Sequence, residues 1–218
     1  MITDERTATY IDSLATANTP LLDRIEQEAV SDGVPVIRRA TQSYLKFILA
    51  DKCPHSILEI GTAVGFSAIF FATYAKDAHI DTIENYPPRI EKAKINIASS
   101  GMADKINLIE GDAQSVIEDL AKTNTYDMIF MDAAKAQYPS YLPVCRKMLC
   151  AGGILVSDNV LFDGDIVQSR FAVRRRDRTI HARMRQFLRD LSEDAGFVTT
   201  ILPIGDGMTV SLRVEDKL

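Results

Sequence analysis

Little in this chain of 218 residues points to a membrane, a disulfide framework or a zinc site. No apolar run reaches the roughly eighteen residues that a bilayer span needs, so no membrane association is expected. Its three cysteines, Cys53, Cys145 and Cys150, form neither an even set nor a metal-knuckle spacing. That fits small buried or near-surface thiols in a reducing cytosol. The three histidines (His55, His79, His181) have no ligand spacing and read as structural or surface residues. The opening Met1-Ile-Thr-Asp-Glu-Arg6 carries acids where a secretory leader would be apolar, so a cytoplasmic location is expected. A formal net charge of −5 gives no global attraction for nucleic acid, which would need a local basic patch.

What is present is a regular alternation. Residues 1–50 read as helices, with Leu21, Leu22, Ile25 and Ala29, then Ile37, Ala40, Tyr44, Ile48 and Leu49, at helical spacing. From Ser56 the periodicity predicts strands over 57–60, 79–84, 106–109, 126–131 and 153–157. Helices over 65–76, 88–100, 113–122 and 137–148 fall between or after them. Such βαβ units imply a doubly wound parallel sheet with helices on both faces. A helix near 177–194 leads to two last strands, 197–202 and 208–213, joined by Pro203-Ile-Gly-Asp-Gly207. That hairpin signal predicts an antiparallel C-terminal strand in an otherwise mostly parallel, Rossmann-like sheet of seven strands. No linker or repeat interrupts the pattern, so a single domain is expected over 1–218, with N-terminal helices (1–50) before an α/β core (51–218).

The strand ends carry the chemistry. Asp132 closes Met128-Ile-Phe-Met and is followed by Lys135; Asp158 closes Ile154-Leu-Val-Ser and is followed by Asn159. On adjacent parallel strands these tips lie about 5 Å apart and face one crevice. Two like charges that close need a shared proton or a cation. Two Asp and one Asn offer the oxygen donors that suit a hard divalent ion such as Mg²⁺. On the other side, Glu59-Ile-Gly61-Thr-Ala-Val-Gly65 turns the first strand into the first core helix, whose opening residues include Ser67. Gly61 allows a tight turn and close approach of a ligand. Glu84 ends the second strand, where an acid can take both hydroxyls of a ribose, and Asp112-Ala113 lies on the same rim. The loop lacks the G-x-G-x-x-G spacing of a dinucleotide site, with Ala63 where a glycine would be needed.

Taken together, Leu58-Glu-Ile-Gly-Thr-Ala-Val-Gly-Phe-Ser67, Thr82-Ile-Glu84, Gly111-Asp-Ala113, Asp132-Ala-Ala-Lys135 and Asp158-Asn159 resemble the class I S-adenosylmethionine-dependent methyltransferases. More narrowly, they resemble the metal-dependent catechol and caffeoyl-CoA type O-methyltransferases. The resemblance implies that Glu59, Gly61 and Ser67 hold the methionine end of S-adenosylmethionine, with Ile37 lapping over it. It implies that Glu84 takes the ribose and that Asp112 and Ala113 flank the adenine. Asp132, Asp158 and Asn159 would bind Mg²⁺ or another divalent cation, and Lys135, with Asp132, would serve catalysis beside the substrate hydroxyl. A homodimer is expected on the same ground.

Within that family the chain is most similar to bacterial enzymes that methylate 5-hydroxyuridine to 5-methoxyuridine at the tRNA wobble position. The residues behind this are Asp132-Ala-Ala-Lys-Ala-Gln-Tyr138, Asp158-Asn-Val-Leu-Phe-Asp-Gly164, Arg174-Arg175-Arg176 and Ile204-Gly-Asp-Gly207. Eight of the fifteen arginines fall between Arg170 and Arg189, where they could meet phosphates of an anticodon loop. Phe162 and Tyr138 are the expected stacking partners for a splayed base. Catechol-type members carry an aromatic or His residue after the first metal Asp; here Ala133 argues against a tightly walled phenol pocket. Three readings therefore stand: a tRNA 5-hydroxyuridine methyltransferase, a methyltransferase of small catechols or caffeoyl-CoA-like phenols, and a non-catalytic RNA-binding or cofactor-sensing protein. The intact Asp132/Lys135/Asp158/Asn159 set argues against the third.

Overall fold

A computed structural model describes residues 4–214; the first three and last four lie outside the described residues. Three helices come first: α1 (Glu5–Leu14), α2 (Pro20–Ser31) and α3 (Arg39–Lys52). Their starts follow from local chemistry. Thr19 accepts a hydrogen bond from the Leu22 amide at 3.3 Å, and Pro20 occupies the first helical position, where no backbone donor is needed. Leu22, Ile25 and Ala29 then form the buried stripe of α2.

The core alternates β1 (Ser56–Ile60), α4 (Phe66–Tyr74), β2 (His79–Glu84), α5 (Pro87–Ser100), β3 (Ile106–Glu110), α6 (Ala113–Leu120), β4 (Tyr126–Met131), α7 (Tyr138–Met148) and β5 (Leu149–Ser157). Helix α8 (Arg178–Glu193) and the hairpin β6 (Phe197–Leu202) to β7 (Met208–Arg213) complete it. The seven strands run in the order β3-β2-β1-β4-β5-β7-β6. Strands β1 to β5 are parallel, and β7 enters antiparallel between β5 and β6, as the hairpin signal predicts.

Side chains of the central strands alternate between two cores. Ile57, Met128, Phe130, Ile154 and Val156 face α2 to α5; Leu58, Ile60, Ile129, Met131 and Leu155 face α6 to α8. Both faces are covered, which is why these strands read as unbroken apolar runs. Strand β5 begins four residues earlier than its periodicity suggests. Leu149 pairs with Tyr126, and a register shift follows before Ile154 pairs with Met128. Gly152, at φ +77°, lies in that stretch and accommodates the irregularity.

The connections wind one way from β1 to β3 and the other way from β4 onward. The order therefore reverses between β1 and β4, and a crevice opens at their C-terminal ends. No helix among the described residues is long and apolar enough to cross a membrane.

Candidate active site

A cleft of about 650 Å³ occupies that crevice. Ten of the fourteen residues singled out from sequence line it: Ile37, Gly61, Ser67, Glu84, Asp112, Ala113, Asp132, Lys135, Asp158 and Asn159. The other four, Glu59 and Arg174 to Arg176, do not.

The glycine turn is shaped by packing. Gly61 has φ +107°, and a Cβ there would lie 2.2 Å from the Asp132 carbonyl oxygen. It is glycine because the tip of β4 presses against it, more than to let a ligand approach. Ala63 adopts φ +46°, a left-handed conformation that costs a non-glycine residue. Its amide donates to Glu84 Oε2 at 2.9 Å, while Glu84 Oε1 accepts from the Asn85 and Tyr86 amides at 3.0 Å. Three backbone donors thus fix this buried carboxylate at the end of β2, with lone pairs left over for a diol. Asp112 is the N-cap of α6, accepting from the Ser115 amide at 3.2 Å, and also lines the cleft.

Glu59 lies beneath the floor, fully buried. Thr82 donates to its Oε2 at 2.5 Å, and the Thr82 hydroxyl meets that of Thr62, a lining residue, at 2.6 Å. Burial pushes the Glu59 carboxyl up to about 7, against the pull of the Ser67 and Thr82 hydroxyls. Its Oε1 has no hydrogen-bond partner. An orphaned buried carboxylate oxygen beneath a cleft is a place where a cationic ligand group would be accepted, so the residues fit the methionine end of the cofactor.

Strands β4 and β5 are neighbours, and Met131 pairs with Ser157. Asp132 and Asp158 follow as the next register positions, so the two acids stand side by side. The Asp158 amide donates to the Met131 carbonyl at 3.0 Å, and the single Tyr138 hydroxyl approaches the Met131 and Asp158 carbonyls at 3.1 Å each. Burial raises both carboxyls above the usual range. The Asp132 charge adds to the rise at Asp158, while Lys135 and Arg89 pull Asp132 back down. Lys135 opens a 3-10 turn (Lys135–Gln137) just after β4, which holds its charge beside both acids.

Asn159 has φ +58°, and its amide Nδ2 donates to Asp206 Oδ2 at 3.3 Å. Among the described residues no three His, Cys, Asp or Glu side chains are grouped to hold a metal. The acid pair becomes a three-oxygen set only with the Asn159 amide. Its chemistry fits a hard divalent cation, because a positive charge between two adjacent acids, both raised by desolvation, would relieve their repulsion.

The structure corrects one expectation outright. Tyr138 is fully buried, its ring 5.3 Å from Phe187 in an edge contact, so it cannot stack on a base. Its aromatic ring belongs to the core and its hydroxyl to the strand ends. Arg174, Arg175 and Arg176 are exposed, away from the cleft lining, and Arg176 lies 3.6 Å from Asp177. Sequence reasoning missed Arg38, Arg89 and Asp206, which all line the cleft. Arg38 and Arg89 carry no motif; the Gly205-Asp206-Gly207 turn did carry a signal, since an acid between glycines at a hairpin tip has a fixed place.

A Rossmann-like sheet with a ribose-type acid on β2 and paired acids on β4 and β5 defines a class I methyltransferase architecture. The chain belongs to the O-methyltransferase family, which matches residues 13–214. It is 28% identical over 161 residues to the catechol O-methyltransferase of Mycobacterium tuberculosis, covering 72% of this chain and 73% of that one. A solved chain from Staphylococcus aureus superposes with a TM-score of 0.88 at 30% identity, covering 96% of this chain and all of that one. The SAH-bound Podospora anserina methyltransferase PaMTH1 matches with a TM-score of 0.84 at 27% identity, over 98% and 97% of the two chains. The protein is an S-adenosylmethionine-dependent O-methyltransferase.

Proposed function

We propose that this enzyme works with a divalent cation and methylates a hydroxyl that stands beside a second oxygen on a flat ring, as in a catechol or a caffeoyl-type phenol. The observation that carries the reading is the pair of acids, half-buried Asp132 and buried Asp158, at adjacent strand tips next to Lys135. Similarity to a catechol O-methyltransferase supports it. Asp132, Asp158 and Asn159 would hold the cation, which supplies a Lewis acid that lowers the pKa of the acceptor hydroxyl. Glu84 and the Asp112-Ala113 rim would hold the nucleoside of the methyl donor, and Gly61, Ser67 and the floor acid Glu59 its amino-acid end. The acceptor hydroxyl would lose its proton to water at the cleft mouth, the Lys135 ammonium would stabilise the oxyanion, and that oxygen would take the methyl as the sulfonium leaves as a neutral thioether. Ile37 and its neighbours from Pro35 to Arg38 line the wall beside the proposed cofactor position.

A wobble 5-hydroxyuridine presents the same chemistry, a ring hydroxyl beside a carbonyl, and a specific observation favours it as a second reading. Arg174 to Arg176 are exposed, and a groove of about 580 Å³ on α8 is lined by Arg170, Arg185 and Arg189 together with the acid Asp190. Phosphates of a tRNA anticodon loop would pair with such a surface. The homodimer expected from the family belongs with these proposals, and sedimentation would measure it.

A chelator is the direct test of the metal. Methyl transfer to a catechol should vanish with EDTA and return on adding Mg²⁺; full activity in EDTA would remove the cation from the reaction.

A further inference from the structure

We propose that Asp206 is a positioning residue that ties together the two halves of the cleft: it orients the Asn159 amide toward the cation and holds the 35–38 strap at the cofactor wall. The inference rests on the metal-dependent reading above and extends it to a residue outside the ligand set.

Asp206 sits in the turn between β6 and β7, which is closed by the Gly207 amide donating to the Ile204 carbonyl at 2.8 Å. That turn is docked onto the chain leaving β5. The Val160 amide donates to the Gly207 carbonyl at 2.9 Å and the Leu161 amide to the Asp206 carbonyl at 3.0 Å. Gly207, at φ +86°, permits the docking, since a Cβ there would fall 2.2 Å from Leu161 Cγ. The backbone of Asp206 is therefore fixed against the segment that carries Asn159.

Its carboxylate faces two ways. Oδ2 accepts from Asn159 Nδ2 at 3.3 Å, and Oδ1 pairs with Arg38 Nη2 at 2.6 Å. A side-chain amide has a donor end and an acceptor end. An acid that takes the donor end leaves the oxygen as the end offered to the cleft, which is the end a hard cation requires. Arg38 lines the same cleft at the start of α3, next to Ile37, whose carbonyl accepts from Gln42 Nε2 at 2.7 Å. The Asp206 side chain, only 18% exposed, is shielded enough for its charge-assisted contacts to matter. Without it, the Asn159 side-chain amide loses its donor-end partner and the strap loses its ion pair to the hairpin, keeping only the packing of Arg38 and Thr41 against Gly205.

The test is calorimetric binding of SAH and of Mn²⁺ to the wild-type protein and to Asp206→Ala, Asp206→Asn and Arg38→Gln. Asp206→Ala should weaken Mn²⁺ binding by about tenfold or more, and SAH binding severalfold. In Asp206→Asn the new amide oxygen still accepts from Asn159, so Mn²⁺ affinity should return to near the wild-type value while SAH stays weakened. Arg38→Gln should weaken SAH alone. Unchanged Mn²⁺ affinity in folded Asp206→Ala, or no recovery in Asp206→Asn, overturns the positioning role. A wild-type protein that binds SAH but no Mn²⁺ overturns the metal reading itself, and this proposal with it.

Discussion

Glu59 shows how one residue is made unusual by its place. It shares the face of β1 that carries Ile57 into the apolar core, and water reaches none of it. Its carboxyl ordinarily titrates near 4.5 and is raised to about 7 here by burial. Between those values the folded protein keeps a proton that the unfolded chain has released. The Glu59 contribution to stability is thus fully present below pH 4.5 and is lost as pH rises through 7. The total loss is on the order of 3 kcal/mol, at about 1.4 kcal/mol per pKa unit. In cofactor-free protein, Glu59→Gln should flatten the denaturation-derived stability between pH 5 and 7 compared with wild type, by roughly that amount. Asp158 makes a second residue-scale case. With the Asn159 backbone N–H donating to it at 2.8 Å, Asp158→Ala should cost methyl transfer about 10²-fold or more, read as kcat/KM, while SAH binding persists. Full turnover in that variant would take the acid out of the reaction.

At the scale of elements, the joint between β4 and β5 is held by side-chain chemistry as well as by the ladder. The Tyr138 hydroxyl, from the first residue of α7, reaches carbonyls at the ends of both strands, and its ring packs against Phe187 of α8. One side chain thus locks the two tips that carry Asp132 and Asp158 against the helical layer. Tyr138→Phe keeps the ring and removes one shared hydroxyl donor; the Met131 carbonyl still accepts from the Asp158 amide, so the Asp158 carbonyl is the one left poorer. A loss of about 1–3 kcal/mol follows, a drop in melting temperature of a few degrees for a chain of this size. An unchanged melting temperature would mean that the strand ends need no such tie. The sequence places Tyr138 beside the site, but not its direction. Which way the ring points depends on how α7 rolls against α8, and local periodicity does not encode that.

For the whole molecule, the two readings differ in the size of the acceptor. The cleft is common to both readings, whereas none of the arginines from Arg170 to Arg189 lines it, although Arg183 donates to the Ala136 carbonyl beside it at 2.8 Å. If a tRNA is methylated, its binding should weaken steeply with salt, with a log–log slope near −0.7 for each single-stranded phosphate contacted. If a free phenol is the substrate, KM should hardly respond to salt, and Arg174→Ala/Arg175→Ala/Arg176→Ala should leave turnover intact. Parallel assays with tRNA carrying wobble 5-hydroxyuridine and with a catechol across a salt series separate these outcomes.

The sequence by itself determined the element order, the alternation of strand and helix and the antiparallel ending, because each is written in local periodicity and turn chemistry. It also placed Glu84, Asp132 and Asp158 at strand ends, since an acid closing an apolar run has nowhere else to go. Only the tertiary structure decided that Gly61 yields to the β4 tip, that Tyr138 is core and that Arg38 and Asp206 meet across the cleft. Those contacts join residues as much as 168 positions apart, and their geometry comes from packing between layers, which no local pattern carries.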